Sequence, residues 1–314
     1  MVWTRKDLLG LEHLTRAEVE TILDAAESTR DIFGRAVKKF PTLRGKTVVN
    51  LFYEASTRTR SSFELAGKWM SADVINVSAS GSSVEKGESL LDTVRTLNSL
   101  GADAIVMRHR QAGAPEFVAR HSRAAVVNAG DGAHEHPTQA LLDLFTLRRR
   151  RGHLDGLKVL IVGDVAHSRV ARSNIWGLSK FGAEVTVCGP ATLLPPGIEA
   201  LGGGVKVTSD LDGALPEAEV VMALRLQKER QAKGLLPSLA EYSREYGLNM
   251  ARLQRCRPDV IVMHPGPANL GVEIAEEVAS DPRSVIADQV TNGVAVRMAL
   301  LYVLLGRDSD GTVA

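Results

Sequence analysis

Cysteine is almost missing from this chain. Two residues, Cys188 and Cys256, supply neither a disulfide framework nor a thiolate cluster for metal, and both read as structural. Net charge is almost missing as well. The 38 basic side chains against 37 acidic ones leave +1, so no global field draws the chain to nucleic acid or to an acidic membrane. Any preference for anions must be local. No apolar run approaches the roughly 18 residues that a bilayer span demands. The opening Met1-Val2-Trp3-Thr4-Arg5-Lys6-Asp7 has no signal-peptide stretch, which makes the cytoplasm the expected compartment. Nucleotide fingerprints fail too: there is no G-x-x-x-x-G-K-[ST]. After Gly163 the further glycines of a dinucleotide turn give way to Asp164-Val165-Ala166-His167-Ser168-Arg169. A metal site would start from His134 and His136, an i, i+2 pair with no third ligand in support, so no metal is expected.

What is present describes a soluble globular protein, with 44% hydrophobic and 24% charged residues. The 314 residues exceed the usual limit of about 250 to 300 for one core, which favours two domains. Thr15-Arg16-Ala17-Glu18 is a capping box, and Val19, Ile22, Leu23, Ala26 and Phe33 continue one helical face behind it. Thr47 to Phe52, Asp73 to Val77, Ala104 to Met107 and Ala125 to Ala129 read as strands, the last followed by a turn at Gly130-Asp131-Gly132. Between them lie a helix over about 58–70 and another with Leu91, Val94, Leu97 and Leu100 at core positions. Ser78 to Ser83 is a polar loop, and His136-Pro137 opens a helix. After a break at 152–156 the alternation restarts with a strand from Lys158, a helix over about 169–181 and a strand from Glu184. Further strands near 220–224 and 260–263 precede an apolar last helix. The expected fold is α/β, with two doubly wound parallel-sheet domains carrying helices on both faces.

The chemistry-bearing residues sit where strands hand over to helices. Ser56-Thr57-Arg58-Thr59-Arg60 puts two arginines in the first turn of a helix, where exposed backbone N–H groups already carry positive partial charge. A bound phosphate would turn that penalty into a gain, and the three hydroxyls add donors to it. Arg169 repeats the oddity at the next domain's first helix. His136, just before a helix start, would be held neutral by the same positive potential and able to polarise a carbonyl oxygen, or it merely caps the helix. Gln139 lies one turn on. Arg225-Leu226-Gln227 follows a strand end, as ligand loops or plain solvated loops do. In His264-Pro265-Gly266-Pro267 two prolines fix a rigid turn whose carbonyls face either a ligand amide or water. Arg148 to Arg151 closes a helix, where cations suit the dipole, and without aromatic neighbours it reads as a solvated cap.

Together, Ser56-Thr57-Arg58-Thr59-Arg60 with Phe63-Glu64, Arg108-His109, His136-Pro137-Thr138-Gln139 and His264-Pro265-Gly266-Pro267 resemble the carbamoyltransferase family, and within it the aspartate-using members. The resemblance implies synthesis of N-carbamoyl-L-aspartate and phosphate, in de novo pyrimidine (UMP) biosynthesis, with no cofactor. It implies a carbamoyl phosphate domain over 1–146 with the last helix, 291–314, returning to it, and an aspartate domain over 147–290. Carbamoyl phosphate falls to Ser56, Thr57, Arg58, Thr59, Arg108, His136 and Gln139 with the backbone at Pro265, Gly266 and Pro267. Aspartate falls to Lys86, Arg169, Arg225 and Gln227. Arg58, Thr59, Lys86, Arg108 and His136 carry the chemistry, by direct transfer with domain closure and no covalent intermediate. Arg60 is left as support, beside Glu54 or Glu64.

The segment from Ser82 to Lys86 is expected to reach into a neighbouring subunit, which makes a homotrimer with shared active sites; regulatory or dihydroorotase chains are conceivable additions. Two departures bear on the acceptor. Pro265 stands where ornithine enzymes carry a cysteine, and Arg225-Leu226-Gln227 stands in place of their S-M-G loop, both favouring an acceptor with carboxylates. Gly266 replaces the leucine of some aspartate enzymes, at a position whose contact is through the backbone. Another amine acceptor such as ornithine is the nearest alternative. A nicotinamide-dependent oxidoreductase would explain the βαβ unit but lacks its glycines.

Overall fold

Short apolar runs bounded by turn residues alternate with amphipathic segments, and each run becomes a parallel strand. The computed structural model describes residues 3–78, 88–227 and 234–306. They fall into two compact units, Met1–Phe145 with Thr291–Ala314, and Thr146–Val290.

The first unit carries β1 (Thr47–Phe52), β2 (Asp73–Ser78), β3 (Ala104–His109) and β4 (Ala125–Asp131) in the order β2-β1-β3-β4, all parallel. Its helices are α1 (Arg16–Arg30), α2 (Thr57–Trp69), α3 (Leu90–Ser99), α4 (Ala114–His121) and the start of α5 (Pro137–Arg151). β1 is buried from Val48 to Phe52, which is why it reads as an apolar run, interrupted by the buried Asn50, rather than an alternation. Val49, Leu51, Ile105, Met107 and Val126 share one core cluster with Val94, Leu97 and Val118 of α3 and α4.

The second unit has β5 (Lys158–Val162), β6 (Glu184–Cys188), β7 (Lys206–Thr208), β8 (Val220–Ala223) and β9 (Ile261–Met263) in the order β7-β6-β5-β8-β9, again parallel throughout. α6 (Arg169–Ser179), α7 (Leu211–Ala214), α8 (Leu239–Tyr246), α9 (Met250–Leu253) and α10 (Glu276–Ala279) complete it. The last helix, α11 (Ile286–Leu305), returns to the first unit. There the Thr29 hydroxyl donates to Ala295 O at 2.9 Å, Arg30 Nε to Asn292 Oδ1 at 3.0 Å, and Arg297 Nη1 to Ser62 Oγ at 2.9 Å. No helix among the described residues is long and apolar enough to cross a membrane.

Several details differ from the sequence expectation. α1 stops at Arg30, so Phe33 lies half-buried on a 3₁₀ turn and Ile32 is the buried residue there. α3 stops at Ser99, which leaves Leu100 as its C-cap and 67% exposed, while Thr93 occupies an interior position. β4 runs on through Gly130 to Asp131, moving the turn to 132–134. α4 and β7 are additions that short, weakly periodic segments did not announce. Ser78, expected to begin the polar loop, instead closes β2, and residues 79–87, with Ser82 and Lys86, lie outside the described residues.

The N-terminal segment is fastened to α1 by charge. Arg5 Nε donates to Glu18 Oε1 at 2.6 Å, and Glu18 Oε2 accepts from Thr15 N at 2.7 Å, closing the capping box. The hydrogen bond from the Arg5 guanidinium, opposed by burial and helped by the Thr15 hydrogen bonds, takes the Glu18 carboxyl from its ordinary 4.5 to about 2. A lowered folded-state pKa stabilises above the unfolded value, and the gain is lost as pH falls through the folded one. Thermal unfolding of the wild type and Glu18→Gln should therefore differ above about pH 5 and converge as the pH approaches about 2.

Candidate functional site

In the first sheet, strand order reverses between β1 and β3, and the carboxyl ends beyond such a reversal are where open α/β sheets hold ligands. Phe52 pairs with Arg108 there, and Tyr53 N donates to Arg108 O at 2.9 Å. The turn that follows β1 delivers Ser56 as the N-cap of α2. Its side chain makes no capping hydrogen bond, and the first turn contains no acidic residue. Thr59 is buried, Ser56 half-buried, and Thr57 and Arg58 exposed. The helix start thus carries hydroxyls, outward N–H groups and a guanidinium with no carboxylate in its first turn, which suits a phosphate.

Arg108 is held by neighbours that the sequence did not single out for it. Its Nε lies 3.3 Å from Glu54 Oε2 and its Nη1 donates to Ala129 O at 3.3 Å. Glu54 is therefore the partner of Arg108 rather than of Arg60. Glu64 takes Lys68 at 2.6 Å and Asn76 at 3.0 Å, with Arg60 acting on it only through space. His136, 4% exposed, follows the turn after β4, and its carbonyl accepts from Gln139 N at 3.0 Å, which begins α5. Gln139 Nε2 donates to Asp143 Oδ1 at 3.0 Å.

Two buried carboxylates shape the loop before His136. Asp131 accepts from Gly113 N (2.8 Å), Asn128 Nδ2 (2.8 Å) and Glu135 N (3.1 Å), and sits 3.0 Å from His134 Nδ1. Burial pushes its pKa up, but the hydrogen bonds from His134, Asn128 and Gly113 outweigh that and hold it below the usual range. The same contact raises His134. Glu135 accepts from Leu11 N at 2.8 Å and Glu12 N at 3.3 Å. Glu12, His134 and Glu135 are the one set of potential metal ligands that cluster among the described residues, and His136 is not in it.

The second sheet reverses between β5 and β8, and again cations follow both strands. Arg169 opens α6, 4% exposed, behind the N-cap Ser168, whose hydroxyl accepts from Ala171 N at 3.1 Å. Arg225 stands just beyond β8. Leu226 after it is buried in a cluster with Leu193 and Tyr242, anchoring the loop between half-exposed Arg225 and Gln227. Gln227 Nε2 donates to His167 O at 3.0 Å, tying the loops after β8 and β5 together. Asp164, fully buried, accepts from His167 Nδ1 at 2.8 Å; a carboxylate in this loop opposes a pyrophosphate and argues against the dinucleotide alternative. Past β9 comes the turn at Pro265, Gly266 and Pro267. Gly266 has φ +63°, a conformation glycine adopts without strain.

Models of two domains match the chain, "Aspartate/ornithine carbamoyltransferase, carbamoyl-P binding domain" over residues 6–149 and "Aspartate/ornithine carbamoyltransferase, Asp/Orn binding domain" over residues 155–304. The chain belongs to the aspartate/ornithine carbamoyltransferase family. Among relatives in that family, the aspartate carbamoyltransferase catalytic subunit of Heliobacterium modesticaldum is 61% identical over 313 residues, 100% of each chain. That of Desulforamulus reducens is 61% identical over 98% of this chain and 97% of its own. Aspartate transcarbamoylase from Trypanosoma cruzi in complex with N-(phosphonacetyl)-L-aspartic acid superposes with TM-score 0.86 at 33% identity, covering 95% of both chains. Ornithine carbamoyltransferase from Pyrococcus furiosus reaches TM-score 0.84 at 29% identity over 96% of this chain and 97% of its own. The carbamoyltransferase fold is thus common to both acceptor classes, and sequence is what separates them.

Within this carbamoyltransferase frame the motif residues gather at carboxyl strand ends: Ser56, Thr57, Arg58, Thr59, Arg108, His136 and Gln139 in the first unit, Arg169, Arg225, Gln227, Pro265, Gly266 and Pro267 in the second. Lys86 lies outside the described residues. The pairing of Glu54 with Arg108 and the roles of Asp131 and Glu135 were not foreseen, and only the closeness of Asp131 and Glu135 to motif residues in sequence hinted at them. Arg297 was missed as well: a wholly buried guanidinium on α11, 5.1 Å over the Phe63 ring, which desolvation takes down to about 10 against the pull of Asp143. Asp131→Ala removes the acceptor of several buried donors, at about 1–3 kcal/mol for each one left unsatisfied. The expected outcome is a clear drop in the unfolding midpoint by calorimetry, with loss of turnover beyond it as His136 shifts.

Proposed function

We infer that this chain transfers the carbamoyl group of carbamoyl phosphate to the α-amine of L-aspartate, releasing N-carbamoyl-L-aspartate and phosphate. The observation that carries this reading is the placement of cations at both sheet reversals, in a chain 61% identical to an aspartate carbamoyltransferase catalytic subunit over its full length. Arg58 and Arg108, with the hydroxyls and N–H groups at the α2 start, suit a phosphate. Arg169 and Arg225 suit two carboxylates, since guanidinium forks match them bidentately. Ornithine, whose side chain is itself a cation, would meet repulsion from the same pair.

The chemistry then needs no metal or covalent enzyme intermediate. The neutral amine attacks the carbamoyl carbon, and the carbonyl oxygen becomes negative. Thr59, Arg108 and His136 stabilise that oxyanion. The C–O bond to phosphate breaks as the carbonyl re-forms, and the leaving phosphate takes the amine proton. Arg58 and Arg108 offset the charge that phosphate gains, Gln139 and the carbonyls of Pro265, Gly266 and Pro267 orient the carbamoyl amide, and Lys86 contacts both substrates. Gln227 joins Arg169 and Arg225 on aspartate. Most of the acceleration comes from positioning and fixed charge.

A homotrimer with active sites shared through the Lys86 segment belongs to the same reading, as do the cytoplasm and pyrimidine synthesis. β2 is an edge strand with Ile75 45% exposed, and Leu65 of α2 is 41% exposed, apolar surface of the kind a second copy covers.

Purified protein assayed with carbamoyl phosphate and either aspartate or ornithine tests the function directly; turnover with ornithine alone would overturn it. Arg58→Ala is expected to cut turnover by about 10²–10³-fold with the fold intact by circular dichroism. Arg225→Ala is expected mainly to raise the KM for aspartate, by about 10–100-fold for a lost charged hydrogen-bond pair. If Lys86 serves a neighbouring chain, mixing inactive Lys86→Ala with inactive Arg58→Ala and allowing subunits to exchange will restore activity. Without shared sites the mixture stays inactive.

A further inference from the structure

The turn after β9 is wired from behind. His264, fully buried, accepts the Gly266 N–H on Nδ1 at 2.8 Å, so the ring proton resides on Nε2. Nε2 lies 3.3 Å from Glu273 Oε1 and donates to it. Glu273, also buried, accepts from Asn269 N at 2.7 Å and Asn269 Nδ2 at 3.2 Å. His264 N donates in turn to Gln289 Oε1 at 3.1 Å. A carboxylate thus fixes the imidazole tautomer and the imidazole fixes one backbone amide.

The consequence lies in what the turn can offer a ligand. Pro265 and Pro267 have no N–H, and that of Gly266 is spent on His264. Among the described residues no hydrogen bond ends on the carbonyls of Pro265, Gly266 or Pro267, and the three residues are half-buried to exposed. From Pro265 to Pro267 the backbone presents acceptors alone.

We propose that the Glu273–His264 relay is a specificity device: by consuming the one amide of the turn it makes this backbone an acceptor-only surface that reads an NH₂ group and discriminates against an acyl phosphate bearing a methyl in its place. The proposal rests on the functional reading above, in which these carbonyls meet the carbamoyl amide. His264 and Glu273 are positioning residues here, acting through the backbone without touching substrate.

The test compares carbamoyl phosphate with acetyl phosphate, which keeps the phosphate and carbonyl but replaces NH₂ by CH₃, using dissociation constants from calorimetry on the full chain. The wild type is expected to favour carbamoyl phosphate. His264→Leu puts a methyl where Nδ1 accepts and frees the Gly266 N–H; carbamoyl phosphate binding is expected to weaken about tenfold, the worth of one such hydrogen bond, with acetyl phosphate unchanged. His264→Asn keeps an acceptor atom at the same position and should restore the preference. Equal weakening of both ligands in His264→Leu, or an unchanged ratio, overturns the relay. A wild type that binds the two ligands alike removes instead the reading that the carbonyls meet the amide, and the relay's role with it. Nitrogen-15 spectra of the wild type give an answer that needs no variant: a proton on Nε2 of His264 is expected, and one on Nδ1 refutes the wiring.

Discussion

Positive charge gathered at helix starts is the constraint on which this molecule turns. The first turn of α2 combines outward N–H groups with Arg58 and Arg60, and that of α6 begins with a buried arginine; neither first turn holds an acidic residue. Such an arrangement is unfavourable by a few tenths of a kcal/mol or more per charge until an anion arrives. Neighbouring groups fix the positions of the cations at these strand ends, as the ion pair with Glu54 and the hydrogen bond to Ala129 O do for Arg108.

The parallel sheets supply the geometry. Every strand in a parallel sheet ends at the same edge, so residues far apart in sequence arrive there together, and the reversal in strand order opens a space between neighbouring loops. Both units use this rule in the same way: Arg58 follows β1 and Arg108 lies at the carboxyl end of β3, while Arg169 and Arg225 follow β5 and β8. Gly163 and Gly189 show what the close approach of such loops requires. A Cβ on Gly189 would meet the Gly163 carbonyl oxygen at 2.5 Å. What distinguishes the second unit from a dinucleotide fold is thus the chemistry of its first loop, where buried Asp164 and Arg169 stand in place of glycines.

Buried polar groups give the loops their precision. Asp131 and Glu135 gather backbone amides around the turn that launches His136. Glu273 and His264 do the same around the turn that ends in Pro267. In each case a carboxylate removed from water is satisfied by several donors, which is the condition under which a buried polar group orders its surroundings instead of destabilising them.

The sequence alone determined the fold class, most of the element types and the reaction. Unbroken apolar runs such as Ala104 to Met107 signal strands covered on both faces, the capping box at Thr15 signals a helix start, and arginines in a helix's first turn signal an anion. Those signals are local, because period, cap and dipole act over a few residues. What only tertiary structure decided is which side chains meet: that Glu54 serves Arg108 and not Arg60, that Leu100 faces solvent once α3 ends at Ser99, that Arg297 reaches Ser62 across more than two hundred residues of chain. The His264–Glu273 contact belongs with them, since it depends on how a ten-residue loop folds back on itself. Pairing across such separations is set by packing and by which buried group is left needing a partner, and neither leaves a periodic trace in the sequence.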